Sequence, residues 1–456
     1  MKQILRQLLI IVCGWMFSCP AFASNDIKTI VKGSIQGIDI KHITIFNRES
    51  VRGSRVTDSI NSNGQFQFNL NVKVPGFYVV SMGEDEPTEF EMYLNPGDQL
   101  SLKIAKDQVF MIGKGSVLNQ FLYDMATKFK YNPLDLASHL ETYNNQVNAI
   151  NSSTNAEVVR RKALLLGNAQ GVFLDQTFGP LLESKAHGAD GKMMQVNFSD
   201  LNILLIPEIM VHPNWRLNIT ELMFAKMKAG QLKINHAHSW VADFGKAIEN
   251  QKLREAYITA TLTYAASIGD LVAVPKEINA VLPLVKNPVS VAKINGLKAK
   301  INQGLNFYKN APLGTDMSAY AFQNAKDELV SIKDYKGKLI YVDIWNTGCK
   351  PCIAEMPYLK QLEQDLHGED IVFLSVSCDY DLAMWKRFLQ KHNMTGEQLI
   401  MMGKKDTFFD KIGKGGVPRF VILDKQGKML DYNSCKRPSN PILKIYLTEL
   451  LNQSKL

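Results

Sequence analysis

Two thiols set two residues apart, in Cys349-Lys350-Pro351-Cys352, are the residues of this chain best placed to do chemistry. They follow a mostly apolar run, Lys338 to Ile344, and open a segment with helical spacing, Ile353 to Leu366, so they belong at a strand-to-helix turn. The first N–H groups of a helix have no partner within it, and the helix dipole favours negative charge at that end. A sulfur held there loses its proton more easily than an ordinary cysteine, whose pKa near 8.5 falls to roughly 3.5–7.5 in such settings. Cys349, exposed at the turn, is then the nucleophile toward a disulfide. Cys352, one turn further in, is the thiol that resolves the mixed disulfide. Lys350 adds a positive charge beside them, and Pro351 suits a first turn, where a missing N–H does no harm. The competing use of such a pair is half of a zinc site. That needs a second pair, and Cys378 and Cys435 are neither adjacent nor accompanied by suitable histidines, so no metal is expected.

The elements that must hold this turn alternate between strand and helix. After Lys338 to Ile344 and the helix come a second buried strand, Ile371 to Ser377, and a second helix, Leu382 to Lys391. Val417 to Leu423 and Met429 to Tyr432 form a hairpin across Asp424-Lys425-Gln426-Gly427, and Ile442 to Asn452 closes as a helix. This is an α/β layer.

These residues resemble the thioredoxin-like proteins, and within them the periplasmic TlpA/ResA-like thiol–disulfide oxidoreductases. The similarity covers about Ala311 to Leu451. It rests on Gly337-Lys338, Val342-Asp343-Ile344-Trp345, Cys349-Lys350-Pro351-Cys352, Glu355-Met356-Pro357 and Gly416-Val417-Pro418. The resemblance implies a role for each. Asp343 is the buried aspartate beneath the pair, exchanging a proton with the resolving thiol, and burial would raise its pKa toward neutrality. Glu355 matches the glutamate that such proteins place near the pair. Pro418 matches the cis-proline facing the disulfide, with the Val417 backbone pairing an incoming peptide, and Trp345 packs beside the motif at the substrate side. No metal or organic cofactor is implied, only protein thiol or disulfide substrates and a membrane thiol-reducing electron donor. One departure stands out: thioredoxins carry Trp before the first cysteine, and here Gly348 stands there.

The rest of the chain divides into a leader and two further regions by its local pattern. With 456 residues, 46% hydrophobic and 21% charged, the chain is ordinary globular protein of about three domains. Lys2 and Arg6, the apolar stretch Leu8 to Phe17, and Ala21-Phe22-Ala23 form a signal peptide over 1–23, cut before Ser24. This places the mature protein in the periplasm or cell envelope. Cleavage before Cys19 with lipid anchoring there is the alternative, and the membrane enters in no other way. Residues 24–116 show short β-rich runs separated by Asn63-Gly64, Pro75-Gly76 and Pro96-Gly97-Asp98, which predicts an antiparallel, all-β sandwich-like domain. Its Leu94-Asn95-Pro96-Gly97-Asp98 turn resembles a domain of unknown function that precedes such modules in Bacteroidetes. Residues 117–308 are expected to form a mainly helical domain, and residues 309–456 the thioredoxin-like one.

The net charge of +8 is spread along the chain and lacks the Lys/Arg clustering that a nucleic-acid groove needs. His236 and His238 read as loop or packing residues, since no ligand cluster completes a metal site around them. Cys378 and Cys435 are placed at strand ends about three strands apart, roughly 14 Å, too far for a disulfide to each other. Cys378 acting as a relay thiol beside the pair is the alternative. The expected function is an exported thiol–disulfide oxidoreductase that reduces protein disulfides. The alternative is a redox-responsive binding or sensor protein whose N-terminal domains hold a partner. A thiol peroxidase fits less well, because Thr347-Gly348-Cys349 misses the Thr-x-x-Cys spacing and Cys352 lies so close.

Overall fold

Strict alternation in Gln65-Phe66-Gln67-Phe68-Asn69-Leu70 buries every second side chain, as a strand with one face on a core requires. The computed structural model describes residues 28–48, 55–83, 88–106, 108–130, 132, 135–182, 203–307, 311–394, 396–401, 408–413, 416–434 and 436–453. The expected signal peptide, Cys19 and Cys435 lie outside them. The chain divides into two compact units, 1–132 with 137–169, and 133–136 with 170–456.

The first unit holds two four-stranded sheets. One has the order β4(Gln65–Leu70)-β1(Thr29–Ile35)-β7(Gln99–Ala105)-β8(Gln108–Lys114). The other has the order β3(Val56–Ser59)-β2(His42–Asn47)-β5(Gly76–Met82)-β6(Thr88–Leu94). Their facing side chains, among them Val31, Ile43, Ile45, Phe68, Met92 and Leu102, form one apolar core. The sandwich differs from the expected antiparallel one in a single pairing: β1 and β7 run parallel. They are joined through the opposite sheet, and a crossover of that kind allows parallel neighbours where a hairpin does not. The helix Ser116–Lys128 packs on β6 and β8. There the Asn119 amide accepts from the Tyr93 N–H (2.6 Å) and donates to the Tyr93 carbonyl (3.0 Å), covering backbone groups of edge strand β6.

The helical stretch expected as a domain of its own over 117–308 is shared between the units. Leu118, Leu122 and Met125 bury with Phe77 of the first unit. In the second unit, helices Trp240–Lys246, Gln251–Ser267, Ala273–Val281 and Pro288–Phe307 bury against one another through Val241, Ile258, Ile278 and Ile294. Leu305 and Val272 of this stretch also pack against the core of the α/β part. Each helix goes where its apolar face is covered, and that is not a property of helical sequence alone. A polar seam joins the two parts: Lys436 Nζ lies 3.5 Å from Asp270 Oδ2, and Ala237 N–H donates to Glu449 Oε1 at 3.0 Å. The two histidines serve this seam. His236 Nδ1 lies 3.4 Å from Glu449 Oε1, and His238 stacks edge-on against Tyr446 at 4.7 Å.

The α/β part is a seven-stranded sheet of order β10(Leu329–Ser331)-β9(Ala321–Asn324)-β13(Glu397–Ile400)-β12(Ile371–Ser377)-β11(Leu339–Trp345)-β14(Arg419–Leu423)-β15(Met429–Asp431). β11 pairs parallel with β12 and antiparallel with β14. All seven residues of β11 are buried, because both faces of the sheet are covered. Ile340, Val342 and Ile344 enter the core on one face, which by strand alternation puts Tyr341, Asp343 and Trp345 on the other. The short strands β9, β10 and β13 extend the sheet beyond the elements expected from the residue pattern. β11 and β14 lie between β12 and β15, and Cys378, just past β12, is a free thiol. Among the described residues no helix is long and apolar enough to cross a membrane.

Candidate active site

β11 ends at Trp345, and the chain turns through Asn346 to Gly348 into the helix Lys350–Asp365. Cys349 is the N-cap of that helix, and its sulfur accepts the Cys352 backbone N–H at 3.2 Å. A sulfur in that position meets both an unshared donor and the positive end of the helix dipole. Cys349 and Cys352 are joined by a disulfide, with Cα atoms 5.3 Å apart. Cys352 is 1% exposed whereas Cys349 is half-buried, so an attacking partner can meet only the first sulfur.

Beneath the pair lies an apolar bed of Trp345, Trp385, Leu389 and Ile400, with Met356, Leu382, Phe388 and Val417 half-buried around Cys349. Trp345, expected among the substrate-binding residues, is 0% exposed and packs on Phe388 with ring centroids 5.4 Å apart. It cannot touch a substrate. Its place in a strand covered on both faces makes it a support for the cysteine turn instead.

Asp343 stands two residues before Trp345 on the same face of β11. Burial, and then the negative charge of Glu355, push its pKa up to about 7. Glu355, on the helix after Cys352, is buried and does not point free. Its carboxylate accepts from the Ser439 N–H (2.9 Å) and the Ser439 hydroxyl (3.0 Å), with Arg437 Nη1 at 3.8 Å. Glu355 is thus held by its partners, and it acts on Asp343 through its charge. The Val417–Pro418 peptide bond is cis. Just behind it Arg419, buried at the start of β14, donates from Nε to the Tyr432 carbonyl (3.0 Å) and from its Nη atoms to the carbonyls of Ile412 and Gly413, which fixes the strand's entry.

One site residue is not among those expected from the sequence. Asp379, beyond β12, accepts from the Thr347 N–H (2.9 Å), the Thr347 hydroxyl (3.0 Å) and the Ser377 hydroxyl (2.7 Å). With the Cys378 N–H donating to the Trp345 carbonyl at 2.8 Å, it ties the cysteine turn to the end of the neighbouring strand. The signal is present as Ser-x-Asp directly after a strand, but only the sheet order shows what it faces. Asp379→Ala should lower stability by about 1–3 kcal/mol in urea unfolding, the cost of removing charge-assisted hydrogen bonds. The Cys349 thiol should become more accessible to iodoacetamide in the reduced protein. Unchanged stability and alkylation would show the tether to be idle. Cys378 lies near the same turn, with Asn346 Nδ2 4.0 Å from its sulfur, and burial pushes its thiol pKa up. That favours an inert thiol over a relay.

A family model described as Redoxin matches residues 311–444. The thiol–disulfide oxidoreductase ResA of Bacillus thuringiensis is 25% identical over 119 residues, covering 26% of this chain and 68% of that protein. A solution structure from Bacteroides vulgatus, described with the thiol–disulfide oxidoreductases, is 40% identical and covers 29% of this chain and 87% of its own, with a TM-score of 0.28. The thioredoxin domain of a Bacteroides vulgatus thiol–disulfide oxidoreductase is 25% identical over 30% of this chain and 94% of its own, with a TM-score of 0.26. A redox-capable cysteine pair at the mouth of a helix, set in a domain that the redoxin family and the ResA proteins both match, makes residues 311–444 a TlpA/ResA-like thioredoxin-fold domain and the chain a thiol–disulfide oxidoreductase.

Proposed function

We propose that this chain is an exported reductase of protein disulfides. The observation that carries the proposal is the partly buried Cys349, its sulfur capping a helix and bonded to a buried Cys352, with Asp343 poised near neutrality on the strand beneath. In the reduced enzyme Cys349 attacks one sulfur of a substrate disulfide. The S–S bond breaks, its other sulfur leaves as a thiolate, and a mixed disulfide forms on Cys349. Cys352 loses its proton to Asp343 and attacks the Cys349 sulfur, releasing the second substrate thiolate and closing the enzyme disulfide. Two electrons have moved from the enzyme to the substrate. A membrane thiol-reducing protein restores the dithiol. The Val417 backbone and Pro418 hold the substrate chain beside Cys349, and Glu355 sustains the proton affinity of Asp343. The leader over 1–23 carries the chain to the periplasm or cell envelope, with Cys19 as the alternative point of lipid anchoring.

Reduction of insulin by the protein, with dithiothreitol as the electron source, tests this. Precipitation of the insulin B chain should be accelerated over dithiothreitol alone, and Cys349→Ser should abolish the acceleration. An accessible Cys349 that gives no acceleration would sink the reading in favour of a redox-responsive binding protein.

A further inference from the structure

Beside the cysteine turn the surface is bare on one side. Gly348 has no side chain, and among the described residues the one atom near a Cβ placed there would be Asn346 Oδ1 at 3.6 Å. Tyr380, 97% exposed, directly follows Asp379, the residue that bonds Thr347 just before Gly348. Single exposed apolar side chains are common and mean little by themselves. Tyr380 differs in how its backbone is held. On one side Asp379 grips Thr347 of the cysteine turn, and on the other Asp381 caps the helix Leu382–Lys391, accepting the Met384 N–H at 2.9 Å. The tyrosine is therefore fixed between two anchored aspartates while its ring stands almost wholly in solvent. Met384, within the first turn of that helix, is 40% exposed. Leu382, Met356 and Val417 are half-buried in the cluster that also holds Cys349. Tyr380 is linked to Cys349 through Asp379, its hydrogen bonds to Thr347, and Gly348, and it lies outside the cluster that holds Cys349.

We propose that Tyr380, with the exposed Met384 four residues on, is a specificity-determining lip. It receives the polypeptide flanking a substrate protein's cystine and takes over the contact that Gly348 cannot make. The proposal rests on the reductase reading above. The occupant is a protein chain rather than a small disulfide, because a side chain outside the cluster that holds Cys349 is met by residues on either side of the cystine rather than by its sulfurs. An aromatic side chain with a pre-ordered backbone gives contact area at little entropic cost, as at binding hot spots.

The test compares two substrates on the full chain. For Tyr380→Ala, kcat/KM for insulin reduction should fall roughly five- to thirty-fold, mainly through KM, as expected when an aromatic anchor is truncated at an interface. Its kcat/KM for 5,5′-dithiobis(2-nitrobenzoate), which has no flanking peptide, should stay as in the parent protein, and Tyr380→Phe should keep most of the insulin activity. Equal losses on both substrates would make Tyr380 a support of the cysteine turn, and no loss on either would make it an idle surface residue. Each overturns the lip. A parent protein that reduces the small disulfide but not insulin overturns the reductase reading itself, and the lip with it.

Discussion

Cys352→Ala is expected to stop turnover while leaving the first chemical step intact. Cys349 keeps its place as N-cap and still accepts the backbone N–H at position 352, which needs no side chain there. It therefore still attacks a substrate disulfide. Among the described residues the other free thiol, Cys378, is partly buried with its pKa raised by burial, so it is a poor substitute for Cys352 in resolving the mixed disulfide. Insulin reduction should drop on the order of a thousandfold or more, as when one member of a concerted catalytic unit is removed. Mass spectrometry without reductant should show substrate covalently held on Cys349. Undiminished turnover, or no adduct on an accessible Cys349, would mean that the two sulfurs do not act as a pair.

The second large effect belongs to Asp343. Its pKa stands near 7 in the folded chain instead of 3.8, chiefly because the carboxyl is buried. An unfolded chain gives up this proton at lower pH than the folded one. Between about pH 4 and pH 7 the unfolded state therefore gains an advantage, and the native state loses up to on the order of 4 kcal/mol, the full loss being present above pH 7. Asp343→Asn cannot ionise. It should match the parent near pH 4 and be more stable by a few kcal/mol at pH 8.5, read by urea unfolding at the two values. In reactivity the sign reverses. Without an acceptor for the Cys352 proton, resolution should slow by roughly 10²–10⁴, and an inflection near pH 7 in the rate of enzyme disulfide closure should vanish. A variant that gains no stability at pH 8.5 and keeps the inflection would show that Asp343 neither titrates near neutrality nor handles the proton.

Much of the site is legible in the residues alone. A pair of cysteines after an apolar run and ahead of a helical period locates a strand-to-helix turn, and the free N–H groups there follow from helix geometry. Glu355 and Asp343 stand out by resemblance, and the structure adds what each one faces. Trp345 is the residue whose expected place differs, because a large aromatic beside a reactive motif suits a substrate wall and a core equally well. Only the covering of both faces of β11 decides between them. β9, β10 and β13 span four, three and four residues, too few for a period to emerge. They exist because neighbouring edges supply their hydrogen bonds.

What the order of residues determined by itself is local: the thiol pair at a helix entrance, the alternation that makes Gln65 to Leu70 a strand, the buried run at the centre of the α/β sheet. Such features arise from groups within a few residues of one another, and their spacing is written in the chain. Tertiary structure alone decided that Asp379 would grip Thr347 from the end of the neighbouring strand, that β1 would run beside β7, and that the helices would part company between two units. Each of these joins groups far apart in sequence, and which distant surface covers which is settled by the free energy of burying both.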